Sequence, residues 1–410
     1  MKPLGEVQRS VLASVPLLEP EATRVQQARG LVLAQEVIAP FDVPPFANSA
    51  MDGFAVQAAD TLPPPAELAV IEDVAAGYVA SRTVAPGMAI KIMTGAPLPG
   101  GADAVVKVED TTQSGDRVRI AEGVVAGQNV RSAGGDLVAG TVVFEAGTRL
   151  TPHHLGVLTS IGVFEPVVRR RPVVAVLSTG DEVVSASTPL TPGKIHDSNR
   201  PQLIALLDEL GADVIDLGIV GDDQDELRAV LARGSAEADV LFSSGGVSMG
   251  EYDMVKKIVA ESGDVQLWRV AIKPAKPFAF GHLAGTPFFG LPGNPVSVVV
   301  AFEQFARPAL LKMMGATALF RSRIPAVLAT AVQTDPEKTV FLRTVATLEG
   351  DGWVARPATG QASNQLTALA RANAFAVVPV GTAGLESGSR VELEMFRWPE
   401  GRTEQEVLNV

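Results

Sequence analysis

From Arg171 to Met314 the chain repeats one rhythm, a short apolar run followed by a loop and an amphipathic stretch, and this constrains the fold more than any other feature. The apolar runs are 173–177, 214–220, 240–242 and 287–291. The helical stretches are 201–210, 225–233, 254–260 and a long closing one, 296–314. Short runs that are apolar throughout suit strands buried on both faces. Alternating with helices, they predict a doubly wound parallel sheet covered on both sides. Ligands in such sheets collect at the carboxyl ends of the strands.

The flanking sequence has other textures. A chain of 410 residues exceeds what one core usually organises, so roughly three domains are expected. Leu4, Val7, Val11 and Leu12 form one face of an N-terminal helix that stops before Pro16. Residues 22–35 read as a second helical stretch. From Pro40 to about Leu150, glycines and prolines separate short apolar runs such as 104–108 and 141–144, the pattern of a small β-rich domain. Beyond Ile324 the runs 327–332, 339–346, 374–380 and 390–395 predict a C-terminal β domain. The expected division is 1–44 with 146–170 as a helical linker domain, 45–145 as the β-rich domain, 171–320 as the α/β domain and 321–410 as the C-terminal β domain. The fold class is multidomain α/β, with the parallel-sheet domain central.

Charge and cysteine content exclude several functions. A net charge of -12 opposes a phosphate backbone, so no nucleic-acid partner is expected, although a few lysines in one cleft still attract a small anion. With no cysteine there are no disulfides, thiolate metal sites or thiol nucleophiles. Any metal is held by oxygen, nitrogen or a sulfur that the substrate brings. His153 and His154 are adjacent, His196 and His282 isolated, and no H-E-x-x-H spacing occurs. No apolar run approaches the roughly 18 residues of a membrane helix, and the stretch 11–18 fits a signal peptide poorly, so a cytoplasmic protein without membrane contact is expected.

The informative loops of the α/β domain follow its strands. Leu177-Ser-Thr-Gly-Asp-Glu182 delivers two carboxylates after a turn, which suits a hard cation such as magnesium, though Asp there also caps helices. Ser243-Ser-Gly-Gly-Val-Ser-Met-Gly-Glu-Tyr-Asp253 joins glycines, hydroxyls and a helix start into a phosphate cradle, or into a plain glycine-rich turn. It matches neither of the common nucleotide-loop patterns. Ile272-Lys-Pro-Ala-Lys-Pro-Phe278, with Arg269 upstream, makes a stiff cationic edge. Gly290-Leu-Pro-Gly-Asn-Pro295 enters the last helix, with Asn294 as its expected cap. In the β-rich part, 45–54, 92–99 and 131–136 each set Asp or Thr beside glycine, an arrangement also common in turns.

Taken together, N-S-A-M-D-G, M-T-G-A-P-L-P, S-T-G-D-E, S-S-G-G-V-S, I-K-P-x-K-P-F and G-L-P-G-N-P-V-S occur in an order that resembles the MoeA family and its gephyrin-type relatives from about Pro44 to Arg307. Phe341-Leu-Arg343 and the stretch 363–373 resemble it more loosely. The resemblance implies an L-shaped homodimer with its cleft between the α/β domain of one subunit and the β-rich domain of the other. It implies molybdenum transfer from molybdate to adenylylated molybdopterin, with magnesium and release of AMP. Asp52, Thr94, Asp136, Glu182, Lys273 and Lys276 would be catalytic, and Glu182, Asp223 and Asp253 would lie at the metal. Ser243, Gly245, Gly246, Ser248, Gly250, Arg269, Pro292, Asn294 and Pro295 would contact substrate, with Arg343 and Ser363 at molybdate. Two positions depart from the family: Gly135 stands where an acidic residue is frequent, which puts the role of Asp136 in doubt, and Ala275 stands where glycine is frequent. Two other readings stay open, a molybdopterin adenylyltransferase, which would lack the β-rich module, and a non-catalytic scaffold.

Overall fold

The computed structural model describes residues 1–245 and 263–399, together with 255, 257, 258, 261 and 401. The α/β domain is built from β1 (Val173–Thr179), α1 (Asn199–Leu210), β2 (Asp213–Val220), α2 (Gln224–Glu237), β3 (Val240–Ser244), β4 (Gly263–Arg269), β5 (Pro277–Leu283) and β6 (Thr286–Leu291). It closes with α3 (Pro295–Ala301), a π-helical turn (Phe302–Ala306) and α4 (Arg307–Met313). The strand order is β2-β1-β3-β6-β5-β4. The first four strands are parallel, as the alternation predicts. β5 and β4 extend this parallel core by antiparallel pairing, which makes the sheet mixed at that edge. No helix separates β4 from β5 or β5 from β6, so these strands pair through turns.

Helices cover both faces of the sheet. Leu203 and Leu207 of α1 pack on one face with Val174, Val176 and the α3–α4 helix, while Leu227 and Leu231 of α2 cover Ala175 and Leu177 on the other. The alternation of β1 side chains between these clusters is the two-residue period of a strand. The N-terminal helix (Leu4–Ser14) buries Val7 and Val11 in the first cluster, packing it against the α/β core.

Residues 22–35 are not helical. Pro20–Ala22 and Val32–Leu33 are short strands on either side of Val167–Arg169, with only a single 3-10 turn between them. Pairing with a distant strand overrides local helical periodicity here, and Gly30 breaks the run at φ +82°. Val25, Leu31, Leu33, Leu158 and Val168 form the core of this unit. The β-rich part is a six-stranded sheet with a cluster on each face. In the C-terminal sheet five strands close on themselves, and Ile272–Lys273 adds to its edge by pairing with Thr339 and Val340. The first lysine of the cationic loop is therefore anchored between two domains.

Candidate active site

A cleft of about 540 Å³ opens at the carboxyl edge of the α/β sheet. Its walls come from the ends of β1 and β3, the turn after β6, and the loop before α1. Thr179, Gly180, Glu182, Asp222, Ser244, Gly245, Pro292, Asn294 and Pro295 all line it. The turn after β1, Ser244 and Gly245 at the end of β3, and the Gly-Leu-Pro-Gly-Asn-Pro segment thus converge on one site, at the carboxyl ends of the strands.

Gly245 makes this convergence possible. Its φ is +90°, and a β-carbon there would stand 2.8 Å from the carbonyl oxygen of Thr179. Its N–H is occupied, donating to the carbonyl of Leu291 at 3.2 Å, so Gly245 contributes closeness and not an anion donor. The donors are hydroxyls. Among the described residues, Thr179 Oγ1 and Ser244 Oγ are buried with no hydrogen-bond partner, and Asn199 Oδ1 is a buried acceptor in the same state. Buried polar atoms are ordinarily paired, so three such atoms on one wall point to a ligand. Ser243, expected to bind substrate, is wholly buried with its hydroxyl donating to the carbonyl of Gly245. Neighbouring strand residues face opposite sides, and it is Ser244 that faces the cleft.

Asp197 forms the floor, and its Asp-Ser-Asn context before α1 was the available but unused signal. It accepts from Ser178 at 3.0 Å and from Arg200 Nε at 2.9 Å, while Arg200 also pairs with Asp216. Burial alone would lower the pKa of Arg200, but its hydrogen bonds to Asp216 and Asp197 outweigh that and raise it. The network fixes the start of α1 beneath the cleft.

The carboxylates separate by role. Glu182 is exposed, and its carboxylate folds back over Gly180 at the cleft. Asp223 is the N-cap of α2, accepting from the amides of Asp225 and Glu226, and it does not line the cleft; Asp222 does. Asp253, Gly246, Ser248 and Gly250 lie outside the described residues. Among the described residues no group of three or more His, Cys, Asp or Glu side chains could hold a metal.

The cationic edge meets the cleft through Pro277, which lines it and pairs with Arg269 across β4 and β5. Lys276 precedes Pro277 and is exposed, as are Lys273 and Arg269. Between the lysines, Ala275 is buried at φ +80°, a conformation that costs a residue with a β-carbon. Asn294 occupies the cap position of α3, but its side chain makes no capping bond and stays at the cleft.

Arg343 and Ser363 are not among the residues that line the cleft. Arg343 is almost wholly buried, donates from Nη2 to the carbonyls of Gly360 and Ala362, and keeps an unpartnered Nε. Burial lowers its pKa. It holds the loop whose Ser363 carbonyl accepts from Val296 N at the start of α3. The β-rich residues stand elsewhere. Asp52 Oδ1 accepts from the amide and the hydroxyl of Thr94 at 2.7 and 2.8 Å, first the backbone and then the side-chain bond holding its pKa below the usual carboxylate range. Asp136 is exposed, and no described residue of 45–145 lines the cleft of the same chain.

Comparison with known proteins covers the whole length. Residues 2–162 match the MoeA N-terminal region (domain I and II), 175–312 a probable molybdopterin binding domain, and 325–396 the MoeA C-terminal region (domain IV). The chain is 38% identical over 403 residues to molybdopterin molybdenumtransferase 2 of Mycobacterium tuberculosis, covering 96% of this chain and 99% of that one. It is 36% identical to the molybdopterin molybdenumtransferase of Haemophilus influenzae, over 97% and 99%. The crystal structure of the molybdopterin biosynthesis MoeA protein from Pyrococcus horikoshii OT3 superposes with a TM-score of 0.84 at 29% identity, covering 97% of this chain and 100% of that one.

Proposed function

The chain belongs to the MoeA family of molybdopterin molybdenumtransferases, enzymes of molybdenum cofactor biosynthesis, and we propose that its cleft takes adenylylated molybdopterin and molybdate and releases AMP as molybdenum joins the dithiolene. The observation that carries this reading is the pair of hydroxyls, Thr179 and Ser244, that line the cleft with no partner among the described residues. They are donors set for a phosphoanhydride oxygen, and Lys276 and Arg269 add positive charge at the same sheet edge. A chain without cysteine suits this chemistry because the substrate brings both sulfurs.

Magnesium belongs to the proposal. Glu182 would hold it, with Asp222 beside it, and such an ion fills its remaining positions with phosphate oxygens and water. When bound it offsets charge on the phosphoanhydride. Asp223 is not in this donor set because it caps α2.

The proposal includes a homodimer in which the β-rich domain of a second copy brings Asp52, Thr94 and Asp136 to the cleft. An apolar surface formed by Ile38, Phe41, Val138 and Val142 supports it: all four are exposed, and Ile38 and Val142 are cross-strand partners. None of the described helices is long and apolar enough to cross a membrane, and the reading places the enzyme in the cytoplasm.

The test is incubation of the purified chain with adenylylated molybdopterin, molybdate and magnesium. AMP released in step with molybdenum uptake, and lost on chelation, is the expected result. Adenylate accumulating from molybdopterin and ATP without molybdate would transfer the assignment to an adenylyltransferase. No turnover under either condition would leave the scaffold reading.

A further inference from the structure

Away from the cleft, a chamber of about 120 Å³ lies where three parts of the chain meet, and three guanidinium groups line it. Arg149 comes from the unit built on Val25 and Leu158, Arg307 from α4, and Arg321 from the segment leading into the C-terminal sheet. The one buried carboxylate on its wall is Glu303 of the π-helical turn, with its side chain 3% exposed. Glu303 accepts two bonds of 2.8 Å from Arg321 and lies 3.8 Å from Arg307 Nε.

The other donors are only partly used. Arg149 gives Nε to the carbonyl of Gly30 and Nη2 to that of Leu210, and Arg307 gives Nη1 to that of Leu319. Arg149 Nη1 and Arg307 Nη2 have no acceptor among the described residues. With the exposed Glu209 at its edge, the chamber sets three guanidinium groups against two carboxylates and keeps an excess of one positive charge. Removing guanidinium groups from water costs more than one shared carboxylate returns. Their forked donors match the oxygens of a tetrahedral anion. At about 120 Å³ the chamber has room for a small oxyanion. Arg149, Glu209 and Leu210 also line a cleft of about 1220 Å³ that gives it an entrance.

We propose that this chamber binds one small tetrahedral oxyanion, inorganic phosphate or molybdate, and that the bound anion clamps together the three parts of the chain that line it. The site is separate from the transferase cleft and does not rest on the reading given for that cleft.

Calorimetric titration and thermal unfolding of the full chain with phosphate, and separately with molybdate, test it. The wild type should bind saturably with a rise in unfolding midpoint, and Arg149→Gln should weaken binding at least tenfold. Arg149→Lys, which keeps the charge but not the fork, should fall between. Arg356→Gln, an exposed arginine of the C-terminal sheet that lines neither cavity, should leave phosphate binding intact. Crystals soaked in tungstate should show an anomalous peak between Arg149 and Arg307. A response to phosphate alone assigns the site to phosphate, and a response to both assigns it to either oxyanion. No saturable binding to the wild type, or binding unchanged in Arg149→Gln, overturns the proposal. A tungstate peak only elsewhere does so too, even where Arg149→Gln fails to fold.

Discussion

Gly245 and Thr179 are packed so closely that a single methyl group on the glycine would stand 2.8 Å from the threonine carbonyl oxygen. The end of β3 rests on the end of β1 through this contact, which brings the hydroxyls of Thr179 and Ser244 to one wall. Gly245→Ala should therefore both strain a backbone at φ +90° and push the loop away. Chemical denaturation should show a loss of about 1–3 kcal/mol. Turnover should fall on the order of 100-fold, because a displacement of about 1 Å is enough for that.

Thr179→Val and Ser244→Ala separate ligand binding from structure. Each removes a buried hydroxyl that has no partner among the described residues. Stability should be unchanged or improved by up to about 1 kcal/mol, since no protein hydrogen bond is lost. Affinity for the adenylylated substrate should fall roughly tenfold per hydroxyl. Equal losses in stability and affinity would mark these groups as structural.

Asp52 and Thr94 form a pair in the β-rich domain, away from the cleft of their own chain. Asp52→Asn and Glu182→Gln should each abolish most turnover. Co-expressed, the two variants should recover about a quarter of wild-type activity, because about half the dimers are mixed and each mixed dimer has one intact site. Recovery is read by AMP release, and its absence would remove the second copy from the site.

Ala275 sits buried at φ +80° between the two lysines. Glycine relieves a left-handed cost of about 1–2 kcal/mol, while raising unfolded-chain entropy by about 0.4–1 kcal/mol and deleting a buried methyl. Ala275→Gly should thus lie within about 1 kcal/mol of neutral by denaturant midpoint. Ala275→Val should cost clearly more, since a β-branched side chain tolerates positive φ least.

Asp239 ties the start of β1 to Arg170 by two hydrogen bonds and accepts from Val173 N at 2.8 Å. Burial, the largest influence, would raise its pKa, but Arg170 and the Val173 amide outweigh it and the pKa is lowered. A carboxyl depressed on folding contributes stability above its unfolded pKa of about 3.9 and loses it as pH falls through the folded value. Asp239→Asn should cost about 1.5–3 kcal/mol at neutral pH, and the gap from wild type should narrow below about pH 4.

The rhythm of apolar runs made the parallel half of the sheet legible, because strands buried on both faces have little choice of residue. The antiparallel half was not, since β4 and β5 mix polar and apolar residues and no helix separates them. Residues 22–35 carry a helical spacing that pairing with Val167–Arg169 overrides. At the site, the loops that converge were readable from motif order. That Ser244 faces the cleft while Ser243 turns away, and that Asp223 caps α2, was not legible, because sequence spacing does not say which way a side chain faces. Arg343 was legible as important, but its burial against the 360–362 loop was not.

A crystal of the protein grown with AMP, magnesium and molybdate tests the central claim most directly. The account predicts the AMP phosphate against Thr179 and Ser244, with the metal at Glu182. Nucleotide density confined to the arginine-rich cleft between residues 21–31 and 208–213, with none beside Thr179 and Ser244, would contradict it.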